Sequence, residues 1–163
     1  MGLDITAYSQ LKDTGRPFDL DVDEGNTYIP HNHPDFATRC VEFTPWHAFE
    51  YEGYLHAYIG AYSYYGRWRE QLAKLAGYSP LTGGYFTYSS GVWAATEGPF
   101  RELIDFTDCD GVLGTAVCQK LAEDFAEYEA SARLLGDEDF LYTYLQFKAA
   151  VEWASDGGAV VFH

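Results

Sequence analysis

An α+β fold in a single domain is what this chain predicts, and three observations carry the prediction. Leu3, Ile5 and Ala7 alternate with Asp4, Thr6 and Tyr8, the period of a half-buried strand, and Ala159 to Phe162 reads as a second short strand. Between residues 117 and 154 two long apolar stripes recur at helical spacing. Finally, 163 residues fit one core and are too few for two comfortable ones. Strands at both termini and helices gathered toward the C-terminal end predict a small sheet using both termini, packed by two long helices and several short ones.

After the opening strand, residues 12–38 change character. Gly15, Pro17, Gly25, Pro30 and Pro34 punctuate them, and Asp19, Asp21, Asp23 and Glu24 make them acidic, so an irregular exposed excursion is expected, with a short hairpin near Tyr28. Arg39 to Phe43 reads as a strand before Pro45. The stretch Gly53 to Tyr62 fits two periods. As a strand it places Leu55, Ala57, Ile59 and Ala61 on one face; as a helix it aligns Tyr54, Tyr58 and Tyr62.

Trp68, Leu72 and Leu75 stripe a helix, with Gly77 at the position of a C-terminal cap. Residues 81–92 are rich in Gly, Tyr, Thr and Ser and read as a loop with strand character. Pro99 suits a first helical position, leading to a short helix with Phe100, Leu103 and Ile104. Val117, Leu121, Phe125, Tyr128, Ala132 and Leu135 form the first long stripe, ended by Gly136. Asp137, Glu138 and Asp139 suit the positive end of the next helix, whose stripe is Phe140, Tyr144, Phe147, Val151 and Ala154.

Composition narrows the function classes. Hydrophobic residues make up 47% of the chain and charged ones 21%, which is globular rather than disordered. With 25 acidic against 10 basic residues the net charge is -15, so direct binding to nucleic acid phosphates is not expected. A basic partner, or a partner surface that normally holds nucleic acid, is electrostatically allowed, and solubility is the plainer reading of the same charge. Cys40, Cys109 and Cys118 cannot all pair, no apolar run reaches the roughly 20 residues that span a bilayer, and Met1 runs straight into a strand. No membrane association and a reduced, cytoplasmic location are therefore expected, with the thiols as core residues.

Ten of the twenty-six residues from Phe43 to Trp68 are aromatic, mostly Tyr and Trp. Such rings fill cores, but they also build pockets and partner surfaces. Within this stretch Gly60 and Gly66 allow close backbone approach. Arg67 and Arg69 stand among Tyr58, Tyr62, Tyr64, Tyr65 and Trp68, the combination that can hold a nucleobase or a phosphate. The same residues also read as structure: Trp68 in the core, tyrosines filling a sheet–helix seam, arginines paired with carboxylates.

Two further constellations stand out. His31 and His33, two apart, can share a divalent ion if His47, His56 or Asp35 completes the set; the flanking Pro30 and Pro34 favour a polar loop pair instead. Asp108-Cys109-Asp110-Gly111 opens like a calcium loop, yet Val117 stands where its glutamate would be. A tight turn with Asp110 capping the next helix and Gly111 left-handed is the expectation there. Cys109 has no histidine nearby in sequence to activate it as a nucleophile. No GxSxG elbow, P-loop or GxGxxG occurs, so no cofactor is expected.

The opening Met1-Gly-Leu-Asp-Ile-Thr-Ala-Tyr8 resembles the start of small uncharacterised bacteriophage and prophage proteins. Tyr65 to Glu70, Phe106 to Gly114 with Lys120 to Phe125, and the closing Gly157 to His163 extend the similarity in scattered blocks. That resemblance implies a genomic setting and transfers no activity, cofactor or catalytic residue. It implies an accessory protein that acts on the host by binding, including antagonism of host defence. The expected ligand is nucleotide-like and anionic, held by the aromatic residues with Arg67 or Arg69. The alternatives are a protein–protein inhibitor whose acidic surface imitates nucleic acid toward a basic host protein, and a metal-dependent hydrolase using His31 and His33. The surplus of Tyr and Trp also raises the expectation of a homodimer.

Overall fold

The computed structural model describes residues 2–93, 95–106 and 110–163. Strand β1 (Gly2–Ser9) lies inside a four-stranded sheet, between β5 (Gly53–Ala61) and β7 (Ala159–Phe162), with β6 (Gly111–Leu113) beyond β7. Every pairing in it is antiparallel. Both termini thus supply the central strands, as the two short strands read at the ends predict.

Alternation along β1 sorts the sheet into two faces. Leu3, Ile5 and Ala7 are fully buried and meet Ala57, Ile59, Val160 and Phe162 in the main core. Over that face pack α1 (Tyr62–Leu75), α4 (Thr115–Leu134) and α5 (Glu138–Ala154). Their stripes are those expected, with Trp68, Leu72, Leu121, Phe125, Phe140, Tyr144, Phe147 and Val151 sealed against the strands. The side-chain carboxylate of Asp137 accepts from Phe140 N at 2.9 Å and so caps α5, and Gly136, at φ 68, supplies the left-handed turn that separates it from α4.

The opposite face is covered at one end only. A second sheet, β2 (Lys12–Pro17), β4 (His47–Glu50) and β3 (Thr27–Tyr28), closes Ile29 and Phe49 over Val112, Ala159 and Val161. The acidic excursion therefore contains two strands, organised by one carboxylate. Asp23 is buried, and it accepts from Arg16, from Asp19 N and from the Asn26 amide.

One open reading is decided and three local expectations are corrected. Residues 53–61 form a strand throughout, and the helix begins only at Tyr62, because Gly60 at φ 111 turns the chain out of the sheet. Arg39 to Phe43 is not a strand: a 3-10 helix (Pro34–Arg39) ends there, fixed by the buried Arg39–Asp105 pair at 2.7 Å. Residues 87–92 form a helix, α2 (Thr87–Val92). Its N-terminus has no side-chain cap of its own and is satisfied by Glu70 of α1, which accepts from Tyr88 N, Ser89 N, Thr87 Oγ1 and Ser89 Oγ. Pro99 stands outside α3 (Arg101–Ile104), whose N-cap is Phe100 in the left-handed region at φ 54.

Of the turn expected at residues 108–111, Asp108 and Cys109 lie outside the described residues. Gly111 does not take a left-handed conformation but opens β6, and Asp110 caps no helix; the α4 cap position is Gly114. Ala116 N donates to Glu42 Oε1 at 2.8 Å, so that helix too takes its anion from a distant residue.

Candidate functional site

Turning the chain at Gly60 divides the seven predicted site residues among three environments. Tyr65 and Trp68, three apart on α1, face the core and are fully buried. Trp68 stacks on Phe147 with ring centroids 4.8 Å apart and donates from Nε1 to Phe140 O at 3.2 Å. Arg69 extends from the same helix beneath α3. It donates to Phe106 O at 2.8 Å and Ile104 O at 3.2 Å, with its guanidinium 4.7 Å from the Tyr65 ring centre. These contacts tie together the C-terminal end of α3 and α1, and Tyr62 is likewise packed against the core.

Arg67 lies on the exposed side of α1, in a cleft of about 470 Å³ with Tyr64, Tyr85 and Phe86. Glu70, Asp137 and Asp139 line the same cleft. The Glu70 carboxyl stays below its ordinary value: burial alone would raise it, and the N–H groups of Tyr88 and Ser89 with two hydroxyls outweigh that. Arg67 makes no ion pair among the described residues. Tyr85 and Phe86 were not anticipated, because residues 81–92 carry no periodicity that would place them against α1.

Tyr58 is 65% exposed and belongs to another groove, of about 480 Å³, between β5 and α5. Its walls are residues 56–60 of the strand and Asp139, Tyr142, Thr143 and Gln146 of the helix. Tyr64 closes one end, donating its hydroxyl to Asp139 O at 2.9 Å and accepting from Thr143 Oγ1 at 2.8 Å. Trp153 marks the other end of the strand, where its Nε1 donates to Gly53 O at 3.3 Å.

On the uncovered face of the sheet, Thr6 Oγ1 lies 3.2 Å from His56 Nδ1 and 3.1 Å from His163 Nε2. One hydroxyl proton serves two rings, so Thr6 donates to one imidazole and accepts N–H from the other. Burial, with His56 nearby, holds His163 below its ordinary value.

The residue between the two histidines is anchored to β6. Asn32 Nδ2 donates to Val112 O at 2.9 Å, and Asn32 Oδ1 accepts from Val112 N at 2.6 Å, so its amide pairs with β6 as a strand would. His33 Nδ1 accepts from Asp35 N at 3.3 Å and caps the 3-10 helix, while His31 is exposed. His47 is bound to Asp13 at 3.0 Å in the small sheet. Among the described residues no group of three His, Cys, Asp or Glu side chains could hold a metal ion. Cys40 and Cys118 carry thiols raised by burial, Cys40 to about 12, which is inert chemistry at neutral pH.

Among the described residues, seven of the ten basic side chains form ion pairs: Lys12, Arg16, Arg39, Arg101, Lys120, Arg133 and Lys148. The carboxylates left over therefore set the field around the molecule. Among the described residues no helix is long and apolar enough to cross a membrane. No family model matches the chain, and no curated protein or solved structure matches it significantly.

Proposed function

We propose that this chain is a phage-type accessory protein that acts by non-catalytic binding, and that its partner is a basic protein surface of the host. The observation that carries this reading is the charge arrangement. A net charge of -15 stands over a surface whose cations are mostly consumed by internal pairs, so the long-range field favours positively charged partners. The resemblance of its sequence blocks to bacteriophage and prophage proteins supports the setting, in which such binding would antagonise a host process. A location in the host cytoplasm follows from that setting.

The test is capture of partners from bacterial lysate on immobilised protein at low and high salt. A stoichiometric basic protein retained at about 50 mM salt and released at about 500 mM is the expected result, because surface electrostatics are screened over that range. Recovery of only neutral or acidic proteins, unaffected by salt, would sink the reading.

A second reading keeps a small anionic, nucleotide-like ligand. It is favoured by Arg67, which has no ion pair among the described residues, standing beside Tyr64, Tyr85 and Phe86 in one cleft, and opposed by the three carboxylates that share it. Calorimetric titration of linear and cyclic nucleotides against the protein and its Arg67→Ala variant tests it. Heat that disappears in the variant supports the reading, and no heat at high micromolar ligand removes it.

A further inference from the structure

The two outer edges of the four-stranded sheet are treated differently. At β6 the amide of Asn32 occupies the N–H and C=O of Val112, as a neighbouring strand would. At β5 no further strand follows in the sheet order among the described residues. Natural edges are ordinarily blunted with charge, proline, brevity or a bulge, because open backbone groups recruit other strands. Strand β5 runs for nine residues, GYLHAYIGA, with no Asp, Glu, Lys, Arg or Pro, in a chain that is 21% charged. Its one interruption is a bulge, where pairing with β1 shifts between Leu3 and Asp4.

The hydrogen-bond phase shows which backbone groups this edge presents. Asp4 and His163 exchange both backbone bonds, His163 N to Asp4 O at 2.9 Å and Asp4 N to His163 O at 3.4 Å. In an antiparallel ladder such pairs alternate, so Asp4, Thr6 and Tyr8 bond toward β7, and Ile5 and Ala7 toward β5. Their β5 partners are Ala57 and Leu55. The N–H and C=O groups of Tyr54, His56 and Tyr58 consequently point away from the sheet.

We infer that the outer edge of β5, with the adjoining side of α5, is a strand-addition site for an extended, basic peptide segment of a protein partner. The inference rests on the binding reading above and names its mode. The groove beside residues 56–60 of the strand, closed at one end by the Tyr64–Asp139 bond, supplies the bed for such a segment. Pairing with Tyr54, His56 and Tyr58 takes an extended segment of about six residues. Alternate peptide side chains would face Tyr142, Thr143 and Gln146, while the others lie over Tyr54, His56 and Tyr58. The lining contains one carboxylate, Asp139, and no Lys or Arg. That selects a basic peptide over an acidic one, and over a second copy of this chain, which would bring a further -15 to the contact.

Amide hydrogen exchange of the intact protein tests this, using the capped hexapeptides Ac-KVKVKV-NH2 and Ac-EVEVEV-NH2 as probes. The free protein should exchange Tyr54, His56 and Tyr58 amides quickly and Leu55 and Ala57 slowly. Saturating basic peptide should slow the first three by about tenfold or more, and the acidic peptide should leave them unchanged. His56→Pro removes one outward N–H while sparing the backbone bonds to β1, losing only the side-chain contact with Thr6, and should abolish the protection of Tyr54 and Tyr58; His56→Ala, which loses the same contact but keeps the N–H, should retain it. Asp139→Asn, whose side chain caps nothing, should weaken binding about three- to fivefold while leaving the fold intact.

Basic peptide that gives binding heat but leaves those three amides unprotected would overturn the edge site while leaving the acidic binding reading standing. No heat from any basic probe would remove both. Slow exchange of the three amides in the free protein, together with a dimeric mass in solution, would replace the peptide by a second copy.

Discussion

Arg69 and Arg67 are two residues apart in sequence and should behave in opposite ways when removed. Arg69 donates to two carbonyl oxygens behind α3 and covers the Tyr65 ring. Hydrogen bonds from a charged donor contribute about 1.5–3 kcal/mol each, and their loss leaves two carbonyls unsatisfied. Desolvation of the guanidinium offsets part of this, so Arg69→Met, which retains an apolar stem over Tyr65, should cost about 3 kcal/mol. At a urea slope of about 2 kcal/mol/M the unfolding midpoint should fall by about 1.5 M. Arg67→Ala, on the exposed side of the same helix, should stay within about 0.5 kcal/mol of the parent. Urea titration followed by tryptophan fluorescence reads both, since Trp68 is buried in the core beside Arg69. A midpoint loss below about 0.3 M for Arg69→Met, or equal losses for the two variants, would refute the assignment of Arg69 to the fold.

Glu70→Ala should release α2 selectively, with exchange of the Tyr88 and Ser89 amides rising first and a total cost of about 2 kcal/mol; uniform destabilisation would count against the cap. The Asp23 carboxyl is held at about 2 by its bond to Arg16, against an ordinary 3.8, so its contribution is complete above about pH 4 and is lost as pH falls through about 2. Proteolysis within residues 12–28 should therefore begin over that acid range, and Asp23→Asn should remove this pH dependence. Cys40 and Cys118 should resist iodoacetamide at pH 8 in the folded protein and react after denaturation, as peptide mass spectrometry would show; rapid labelling of Cys118 would contradict its burial.

Which elements were legible in the sequence follows from where each draws its stabilisation. β1, α4 and α5 bury faces whose period is written in their own residues, and their boundaries carry local signals such as Asp137 and Gly136. α2 was hidden because its N-terminal groups are satisfied by Glu70, seventeen residues or more away. β6 was hidden because three residues show no period, and its outer edge is completed by the Asn32 amide. The same limit divided the candidate site. Ring density marked residues 58–69, but the change from period 2 to period 3.6 at Ala61 decides which rings meet solvent, and it falls in the middle of the motif. Tyr58 precedes it and is exposed, whereas Tyr65 and Trp68 follow it and are sealed. The uncharged run of β5 was visible in the sequence, but only the sheet order reveals it as an edge.

The place of β7 between β1 and β6 has a consequence for how the molecule is made. Until residues 159–162 leave the ribosome, the first strand has no neighbour on one flank and the middle of the sheet is a gap. The helices can form early from local contacts, but the layer they cover closes only after a loop of some 150 residues is drawn together, an entropic cost met late and all at once. Nascent chains should therefore stay protease-sensitive until residues 159–162 have emerged, and removal of residues 159–163 should be far more damaging than their number implies.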